Sequence, residues 1–286
     1  MIDISEKKRF IQQIKMLPTI PFIFHRIIEC TEDPKSSASD LKETILNDQS
    51  ISAKVLSLAN SAFYGFPKKV TDITQAIVIL GFDTVVDVAI SVSILKIFSG
   101  KSGEEFNKEM FWLHSIAAAE SSRLLSKKIN YPKLELSFIL GLLHDIGKVI
   151  MSNFFPEEYD TAVFNCRAVN EHLYISERKI FNFDHTDAGG WLSEKWKLPD
   201  KIMKSIKFHH SIPKIPEEYS TEIMIAEFGN YLAKKNKIGN SGYDKTPFLS
   251  SYVMDKFRLN TSKINALSEE LLAKKEKMEA FMKIME

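Results

Sequence analysis

Residues 136–151 read LSFILGLLHDIGKVIM, an apolar run that is interrupted by His144, Asp145 and Lys148. If this run is one helix, His144 and Asp145 lie four and three positions before Lys148, so the three polar side chains share a face. Burying a His–Asp pair costs free energy unless the pair is compensated, and a divalent metal binds both side-chain types. The alternative is a metal-free pair that hydrogen-bonds internally and to Lys148.

Four further histidines lie in apolar helical surroundings elsewhere in the chain. His114 stands among apolar and small residues, His185 stands at a predicted helix start, and His209 and His210 end an apolar helix face. Together with His144, they make five of the seven histidines. Surface histidines are not expected to sort in this way, so the set favours a metal site over an isolated hydrogen-bonded pair.

His185 has a second interpretation that depends on its position in the chain. Asp184 or Thr186 is a suitable N-cap for the helix that follows, and Asp187 suits the first turn of that helix. His185 is therefore either a metal ligand presented at a helix start or a neighbour of the cap at a solvent-exposed helix end.

Two other segments bear on the composition of the site. Residues 224–230 predict a helix in which Glu227 is the one acidic residue of an apolar stretch. Residues 156–167 and 170–181 predict two helices without an obvious polar cluster. His172, which lies beside an acidic residue, is predicted to be a solvated surface side chain.

Composition describes an ordinary globular chain of 286 residues with a net charge of +1 and 26% charged residues. Such a balance provides no global field that would attract nucleic acid or an anionic membrane. The two cysteines, Cys30 and Cys166, form no ligand or disulfide pattern, and no signal peptide is visible, so a cytoplasmic location is predicted. Residues 76–98 come nearest to a membrane span. They are expected to form a buried helix pair instead, because charged residues interrupt them: Asp83, Asp87 and Lys96.

The chain predicts helix after helix, without the alternating pattern of strands. Prolines in residues 17–21 and Gly81 mark helix ends, and the polar residues 100–103 are the predicted junction between two halves. Residues 60–67 predict a Gly- and Pro-bounded loop that carries three aromatic residues, Phe63, Tyr64 and Phe66.

The C-terminal segment, residues 262–286, predicts one amphipathic helix that follows the polar loop of residues 234–248. Its apolar residues have near-heptad spacing, but Lys274 interrupts the seam. Packing of this helix on the body of the protein is therefore favoured over a coiled coil, and a dimer formed through the helix is the alternative.

Several of these stretches, taken in order, resemble the HDOD family, the HD-related output domain of bacterial signalling proteins. The resemblance covers about residues 17–235 and is carried by LPTIP, LNDQSISAKVLSLANSAFYGF, ITQAIVILGFDTVVDVAISVSI, LSFILGLLHDIGKVIM, FNFDHTDAGGWLSEKWKLPDKI and IKFHHSIP. It implies an all-α, two-lobed fold in which an N-terminal helical lobe (residues 1–99) packs on an HD-like helical lobe (residues 100–235). Residues 236–286 then add a loop and the C-terminal helix.

The second half also resembles HD-type metal phosphohydrolases, including the HD-GYP branch with its second metal. This resemblance implies one or two divalent transition metals (iron, manganese or zinc) and a catalytic role for Lys148. The closing acid departs from the pattern, because a glutamate stands where aspartate is usual, and the Gly-rich GYP loop is absent. The implied metal ligands are His114, His144, Asp145, His185, His209, His210 and Glu227.

Two hypotheses about function follow from these resemblances. The first is a regulatory module of signal transduction that acts through protein or ligand binding without catalysis. Its partners would be signalling proteins, and its N-terminal lobe (residues 17–98) would carry the contacts. The alternative is a metal-dependent phosphohydrolase that acts on a nucleotide or phosphoester, although hydrolysis of cyclic di-GMP is not expected. Binding of nucleic acid or of a membrane is disfavoured.

Overall fold

The computed structural model describes residues 10, 14, 17, 20–32, 43, 45–46, 48–61, 64–66, 68–98, 103–211, 215–243, 245 and 248–285. All regular secondary structure within these ranges is helical, which confirms the predicted all-α fold. Among the described residues before residue 99, four helices have defined bounds: α1 Phe22–Glu32, α2 Gln49–Ala59, α3 Ile73–Leu80 and α4 Phe82–Leu95, which a short 3₁₀ turn, Lys96–Phe98, continues.

The HD-like part follows as a longer series of helices, with a 3₁₀ turn, Glu217–Tyr219, before its last member. Its helices are α5 Lys108–Lys128, α6 Leu134–Leu143, α7 Ile146–Phe154, α8 Pro156–Ala168, α9 Leu173–Phe181, α10 His185–Lys195, α11 Asp200–Phe208 and α12 Ser220–Lys235. The chain then continues through α13 Ser251–Lys256, α14 Thr261–Leu272 and α15 Lys275–Met285.

Local side-chain chemistry explains several of the helix boundaries. The carboxylates of Asp48 and Asp72 accept backbone N–H groups in the first turns of α2 and α3, as N-caps do. Gly81, with φ of +82°, ends α3, and α3 and α4 meet there at 110°. The predicted break at this glycine is therefore confirmed. Within the described ranges, no single helix has the length and apolarity needed to cross a bilayer.

The C-terminal segment differs from the prediction in one respect. It forms two helices, α14 and α15, and not the single helix predicted for residues 262–286, because the chain turns at Ala273 and Lys274. The turn brings the Lys274 ammonium to the carboxylate of Glu120 on α5. Both helices pack on the body, as expected, and they bury their apolar side chains there: Ile264, Leu267, Leu271, Met278, Phe281 and Met282.

The buried apolar side chains form one continuous core from Phe10 to Met282. Helix α5 packs on α6 and α12, and α10 packs on α7 and α11, which together build the centre of the HD-like part. Helices α1 and α4 pack on α6, while α15 contacts α2, α4 and α5. The predicted domain boundaries at residues 99/100 and 235/236 stay predictions, since this core crosses both.

The loop at residues 60–67 is anchored by Asn60, as its position at a helix end predicts. The Asn60 side chain donates to Leu56 O and Val70 O, both at 2.8 Å, and accepts from the N–H of Val70 at 2.8 Å. Tyr64 is partly buried against the core, whereas Phe66 is 49% exposed. Phe63 and Pro67 lie outside the described residues; of the aromatic residues in this loop that are described, one therefore packs inward and the other faces solvent.

Candidate metal centre

The central stretch, residues 136–151, folds as two helices and not as one, because α6 ends at Leu143 and α7 begins at Ile146. His144 and Asp145 form the turn between them. Two glycines bring this turn close to its neighbours: a Cβ on Gly141 would lie 2.5 Å from Ala118 O on α5, and a Cβ on Gly147 would lie 1.9 Å from His185 O on α10. The turn therefore reaches His114 on one side and His185 on the other.

Asp145 is the hub of the centre. Its Oδ1 lies 3.2 Å from His185 Nε2 and 3.3 Å from His209 Nε2, while its Oδ2 lies 3.1 Å from His144 Nε2. Lys148 donates to the same Oδ2 at 2.6 Å. The Asp145 and His144 side chains are fully buried, so this carboxylate is surrounded by ring nitrogens in a place without bulk solvent.

The hydrogen bonds of the rings determine which nitrogens can bind a cation. His144 Nδ1 lies 2.7 Å from Gly141 O and His209 Nδ1 lies 2.9 Å from Ile206 O. Because a carbonyl oxygen only accepts, both Nδ1 atoms carry the proton, and in the neutral ring each Nε2 presents a lone pair. His144 Nε2, His209 Nε2 and Asp145 Oδ1 have no hydrogen-bond partner. Lone pairs thus face a carboxylate across a buried space, and a metal ion bound there would provide the partner that these atoms lack.

Two overlapping groups of ligand atoms share Asp145, and within each group the atoms lie within 4.8 Å of one another. One group adds His114 and His144, and both ring nitrogens of His114 are buried without a hydrogen-bond partner. The other adds His185, His209 and His210, with 3.1 Å between the Nε2 atoms of His185 and His210. Six of the seven implied ligands therefore converge, in an arrangement that fits one or two ions.

Glu227, the seventh implied ligand, lies outside both groups in the structure. Its carboxylate accepts from the N–H of Ser250 at 3.1 Å and from Ser250 Oγ at 3.3 Å. Burial raises the pKa of Glu227 to about 7, although the bonds from Ser250 oppose this rise. Glu227 lines the cavity beside the centre and does not complete the cluster of ring nitrogens.

The sequence interpretation missed Glu177, which supports the centre from α9. This carboxylate is fully buried and accepts from His185 Nδ1 at 2.6 Å, from the His185 N–H at 2.9 Å and from Tyr159 OH at 3.0 Å. The expectation that residues 156–181 lack a polar cluster was wrong. A usable signal was present, since Leu173, Glu177 and Phe181 are spaced by four and place the glutamate on a buried face.

Lys148 is held entirely by protein groups. Besides Asp145, its Nζ donates to Ser241 O at 3.1 Å and to Ser241 Oγ at 3.3 Å, and its side chain is 2% exposed. An ammonium has three protons, so these contacts use all of its donors. Lys148 therefore joins the His–Asp turn to the loop after α12, and its predicted catalytic role stays a prediction.

Burial and neighbouring charges lower the pKa of some groups in the centre and raise the pKa of others. Burial raises the pKa of Asp145, but His144 and Lys148 outweigh burial and hold this pKa well below its usual range. Burial lowers the pKa of His209 to about 4. At His185, burial lowers the pKa, but the Glu177 carboxylate outweighs it and raises the pKa to about 9. His209 is thus neutral at neutral pH and available as a ligand.

A cavity of about 300 Å³ opens beside the centre. Tyr174 stacks on His210 at 5.0 Å between ring centroids and on His172 at 5.5 Å. His172 is exposed, as predicted, but it also belongs to the cavity wall. Phe248, 81% exposed, also lines the cavity. Most of the remaining wall is basic or aromatic: Lys148, His185, His209, Tyr231, Lys234, Tyr243 and Lys245. Leu173, Glu227, Asn230 and Ser250 complete it.

Fold and site together define an all-helical protein of the HD type, with a shared aspartate between two groups of histidines. A model of the HDOD domain matches residues 17–212. The chain therefore belongs to the HDOD family, which confirms the resemblance seen in the sequence.

Solved structures support the same fold at low sequence identity. An HDOD domain protein of unknown function from Geobacter sulfurreducens has a TM-score of 0.76 at 21% identity and covers 96% of this chain and 99% of its own. A protein of Marinobacter aquaeolei, provisionally named a signal transduction protein, has a TM-score of 0.79 at 21% identity over 95% of this chain and 60% of its own. A protein of Shewanella amazonensis, provisionally named a phosphohydrolase, has a TM-score of 0.71 at 22% identity over 97% and 98%.

A curated relative is longer than this chain. An uncharacterized protein of Treponema pallidum is 25% identical over 236 residues, which are 82% of this chain and 45% of the relative. The chain thus spans less than half of that relative. The names of these structural neighbours include both signal transduction and phosphohydrolysis.

Proposed function

We propose that this protein is a metal-binding regulatory module of signal transduction, which acts through ligand or protein binding. One observation carries the proposal: the Nε2 lone pairs of His144 and His209 face the Asp145 carboxylate in a buried space, and neither nitrogen has a hydrogen-bond partner. Asp145, His185, His209 and His210 would hold one ion, and His114 and His144 would hold a second ion together with Asp145. A divalent ion in this place would supply Lewis acidity toward a phosphate oxygen.

The residues of the chain prepare the centre for such an ion. Glu177 fixes the His185 ring through Nδ1, and the carbonyl groups of residues 141 and 206 fix His144 and His209, so that each Nε2 points inward. Second-shell bonds of this type set the tautomer and raise ligand basicity. Lys148 neutralises the hub, and the cavity beside it offers lysines and aromatic rings to a phosphate-bearing ligand.

Two observations support binding without turnover. All three donors of Lys148 are used inside the protein, so this ammonium would need to break a contact before it could stabilise charge on a substrate. Glu227, where related phosphohydrolases are expected to place the closing aspartate ligand, is bonded to Ser250. A metal ligand displaced by roughly 1 Å costs about a hundredfold in rate, which also supports the expectation that cyclic di-GMP is not hydrolysed.

A metal-dependent phosphohydrolase is the second candidate, and the position of the cavity favours it. His185, His209 and His210 belong both to the ligand group and to the cavity wall, so an ion held there would be reached from the cavity. A nucleotide or another phosphoester is the class of substrate that lysines and aromatic rings would accept.

The two candidates separate in one experiment. Metal-free protein is reloaded with manganese, iron or zinc, and its melting temperature and its hydrolysis of p-nitrophenyl phosphate, bis-p-nitrophenyl phosphate, nucleoside monophosphates and cyclic di-GMP are measured. The regulatory module predicts metal-dependent stabilisation without turnover above the Asp145→Asn variant. Turnover that is lost in Asp145→Asn and kept in His25→Ala, a change of an exposed histidine on α1, would establish the phosphohydrolase instead. No response to any metal would contradict both.

A further inference from the structure

A second, open groove lies away from the metal centre and shares no lining residue with the cavity beside it. It has a volume of about 580 Å³ and is formed where three segments meet. These are the end of α5 with the turn after it, the start of α12, and the connection from α13 into α14. The lining residues are Lys128, Ile129, Asn130, Tyr131, Pro132, Thr221, Lys256, Phe257, Arg258 and Lys263.

The charge of the groove is one-sided. Four of its lining residues are cations, and none of those that the structure describes is a carboxylate, although the whole chain has 38 basic and 37 acidic residues. Two neighbouring acids compensate little: Glu217, 94% exposed, lies 3.7 Å from Lys256, and the buried Glu222 is already bonded to Lys201 and Tyr131. The groove therefore presents a local positive potential on a nearly neutral protein.

Helix stability accounts for only part of this positive charge. Lys128 and Lys256 stand in the last turns of α5 and α13, where cations interact favourably with the helix dipole. Lys263 stands in the first turn of α14, after the N-cap Asn260, where a cation is unfavourable. Its Nζ donates to Arg258 O at 2.7 Å, which keeps the charge at this groove. The unfavourable interaction of Lys263 with the helix dipole would be offset by a negatively charged partner bound in the groove.

The floor of the groove is apolar. Ile129, Tyr131 and Phe257 are partly buried and pack against the core, so each presents only one side to the groove. A floor of this kind with a basic rim matches a peptide that carries acidic residues around an apolar anchor. A nucleic acid fits less well, because the near-zero net charge leaves no extended basic track for its backbone.

We propose that this groove binds an acidic segment of a partner protein, with its carboxylates on Lys128, Lys256, Arg258 and Lys263 and an apolar side chain on Phe257. The site would give the protein a place for a signalling partner that is independent of the metal centre.

Fluorescence anisotropy with a labelled glutamate-rich peptide that has one central phenylalanine tests the proposal. The wild-type protein is expected to bind this peptide with an affinity that falls as salt is raised, and to bind the glutamine analogue much more weakly. The Arg258→Glu, Lys263→Glu double variant should lose about tenfold or more in affinity, because like charges then face each other. The matched control is Lys69→Glu, which reverses an exposed lysine before α3 and should leave binding unchanged.

The single variant Lys263→Glu separates loss of a contact from loss of structure. It replaces a cation with an anion in the first turn of α14, so its melting temperature should equal or exceed that of the wild type while peptide binding is weakened. The proposal is overturned if the peptide does not bind the wild type, if both groove variants bind like Lys69→Glu, or if a single-stranded oligonucleotide binds more tightly than the peptide.

Discussion

Asp145 accepts one strong hydrogen bond, from Lys148, and faces three histidine Nε2 atoms with its two oxygens. Burial of such a carboxylate is costly and by itself raises the pKa, but the neighbouring His144 and Lys148 hold this pKa well below its usual range, so the carboxylate stays ionised. The arrangement is stable once a cation occupies the space between the oxygens and the rings. At the scale of the residue, the centre is therefore a buried carboxylate surrounded by histidine rings, all of which can serve as metal ligands.

The first prediction concerns Glu177, which holds His185 from behind. The change Glu177→Gln removes the charge that favours the Nδ1-protonated ring, and metal affinity should fall by about 10- to 100-fold. Chelator competition on the reloaded protein measures this affinity. The control is Glu194→Gln, a change of an exposed glutamate on α10. Equal affinities in the two variants would remove Glu177 from the description of the centre.

The second prediction concerns the pH dependence of stability at Glu227. Its folded-state pKa is raised from 4.5 to about 7. Between these values the folded protein binds more protons at this carboxyl than the unfolded chain does, so the carboxyl makes the free energy of unfolding fall as pH rises. The change Glu227→Gln keeps the shape and removes the titration. The variant should therefore gain stability relative to the wild type from pH 5 to pH 8 by about 1 kcal/mol or more.

Denaturant unfolding of the wild type and Glu227→Gln across this pH range gives the difference directly. If the difference in the free energy of unfolding between the two proteins did not change with pH, Glu227 would be ionised over the whole range. The conclusion that this residue lies outside the ligand groups would then be contradicted.

Sequence reasoning found most of the centre at this scale, for a physical reason. Histidines in apolar runs are rare enough to be recognised one by one, and six of the seven implied ligands meet. Glu177 was missed because a glutamate in an amphipathic helix usually faces water. Glu227 was placed among the ligands because it is the one acidic residue of an apolar stretch and because the resemblance calls for a closing acid. The choice between a metal and a bond to Ser250 depends on a different segment of the chain.

At the scale of the element, glycines decide how closely helices approach. Gly147 lies so near α10 that a Cβ would lie 1.9 Å from His185 O, a backbone atom that cannot swing aside. Gly190, on α10, has only Lys207 Cδ at 3.9 Å, an ordinary contact. The contact between α7 and α10 sets the distance between Asp145 and His185.

The third prediction follows from this pair of glycines. Gly147→Ala should destabilise the protein by about 1–3 kcal/mol through overpacking and should weaken metal binding, because α7 and α10 must separate. Gly190→Ala should be neutral or stabilising by about 0.5–1 kcal/mol, since alanine is the better helix former. Thermal unfolding with and without metal measures both effects. A benign Gly147→Ala would show that the two helices can move apart freely.

Helix existence was predictable from apolar periodicity, but two continuous helices were wrongly expected. The run of residues 136–151 breaks at His144 and Asp145, and the C-terminal run breaks at Ala273 and Lys274. In both places the apolar residues resume after a short polar interruption, which a continuous helix can also contain. The break depends on polar contacts with other helices, such as Lys274 with Glu120, which a linear pattern does not contain.

At the scale of the whole molecule, a buried ion pair joins the N-terminal helices to the HD-like part. Arg123 on α5 donates from Nη1 to Asp87 Oδ2 at 2.6 Å and from Nη2 to the other oxygen, and Glu120 lies 3.7 Å from the same guanidinium. Asp87 and Arg123 are 8% and 5% exposed. Asp87 was noted in the sequence only as an interruption of a candidate membrane span, because its partner lies on a distant helix.

The fourth prediction is that Asp87→Ala destabilises the protein by about 3 kcal/mol or more, since it removes the two-oxygen partner of the buried Arg123 and leaves the weaker contact with Glu120 at 3.7 Å. The double change Asp87→Leu, Arg123→Met should cost much less, because no buried charge remains. Denaturant unfolding measures both. The control is Asp83→Ala, a change of an exposed residue in the first turn of α4 that should cost at most about 1 kcal/mol. Equal costs for Asp87→Ala and Asp83→Ala would contradict the account of this interface.

The claim that unites these scales is that the histidines and Asp145 bind a metal. The direct measurement is metal content per chain by mass spectrometry after equilibrium dialysis against manganese, iron or zinc. Our account predicts at least one equivalent of one of these metals in the wild type and in His25→Ala. It predicts loss of that metal in Asp145→Asn and in His209→Ala, with the folded state of each variant checked by circular dichroism. A wild-type protein that retains none of the three metals, or variants that retain as much as the wild type, would contradict it.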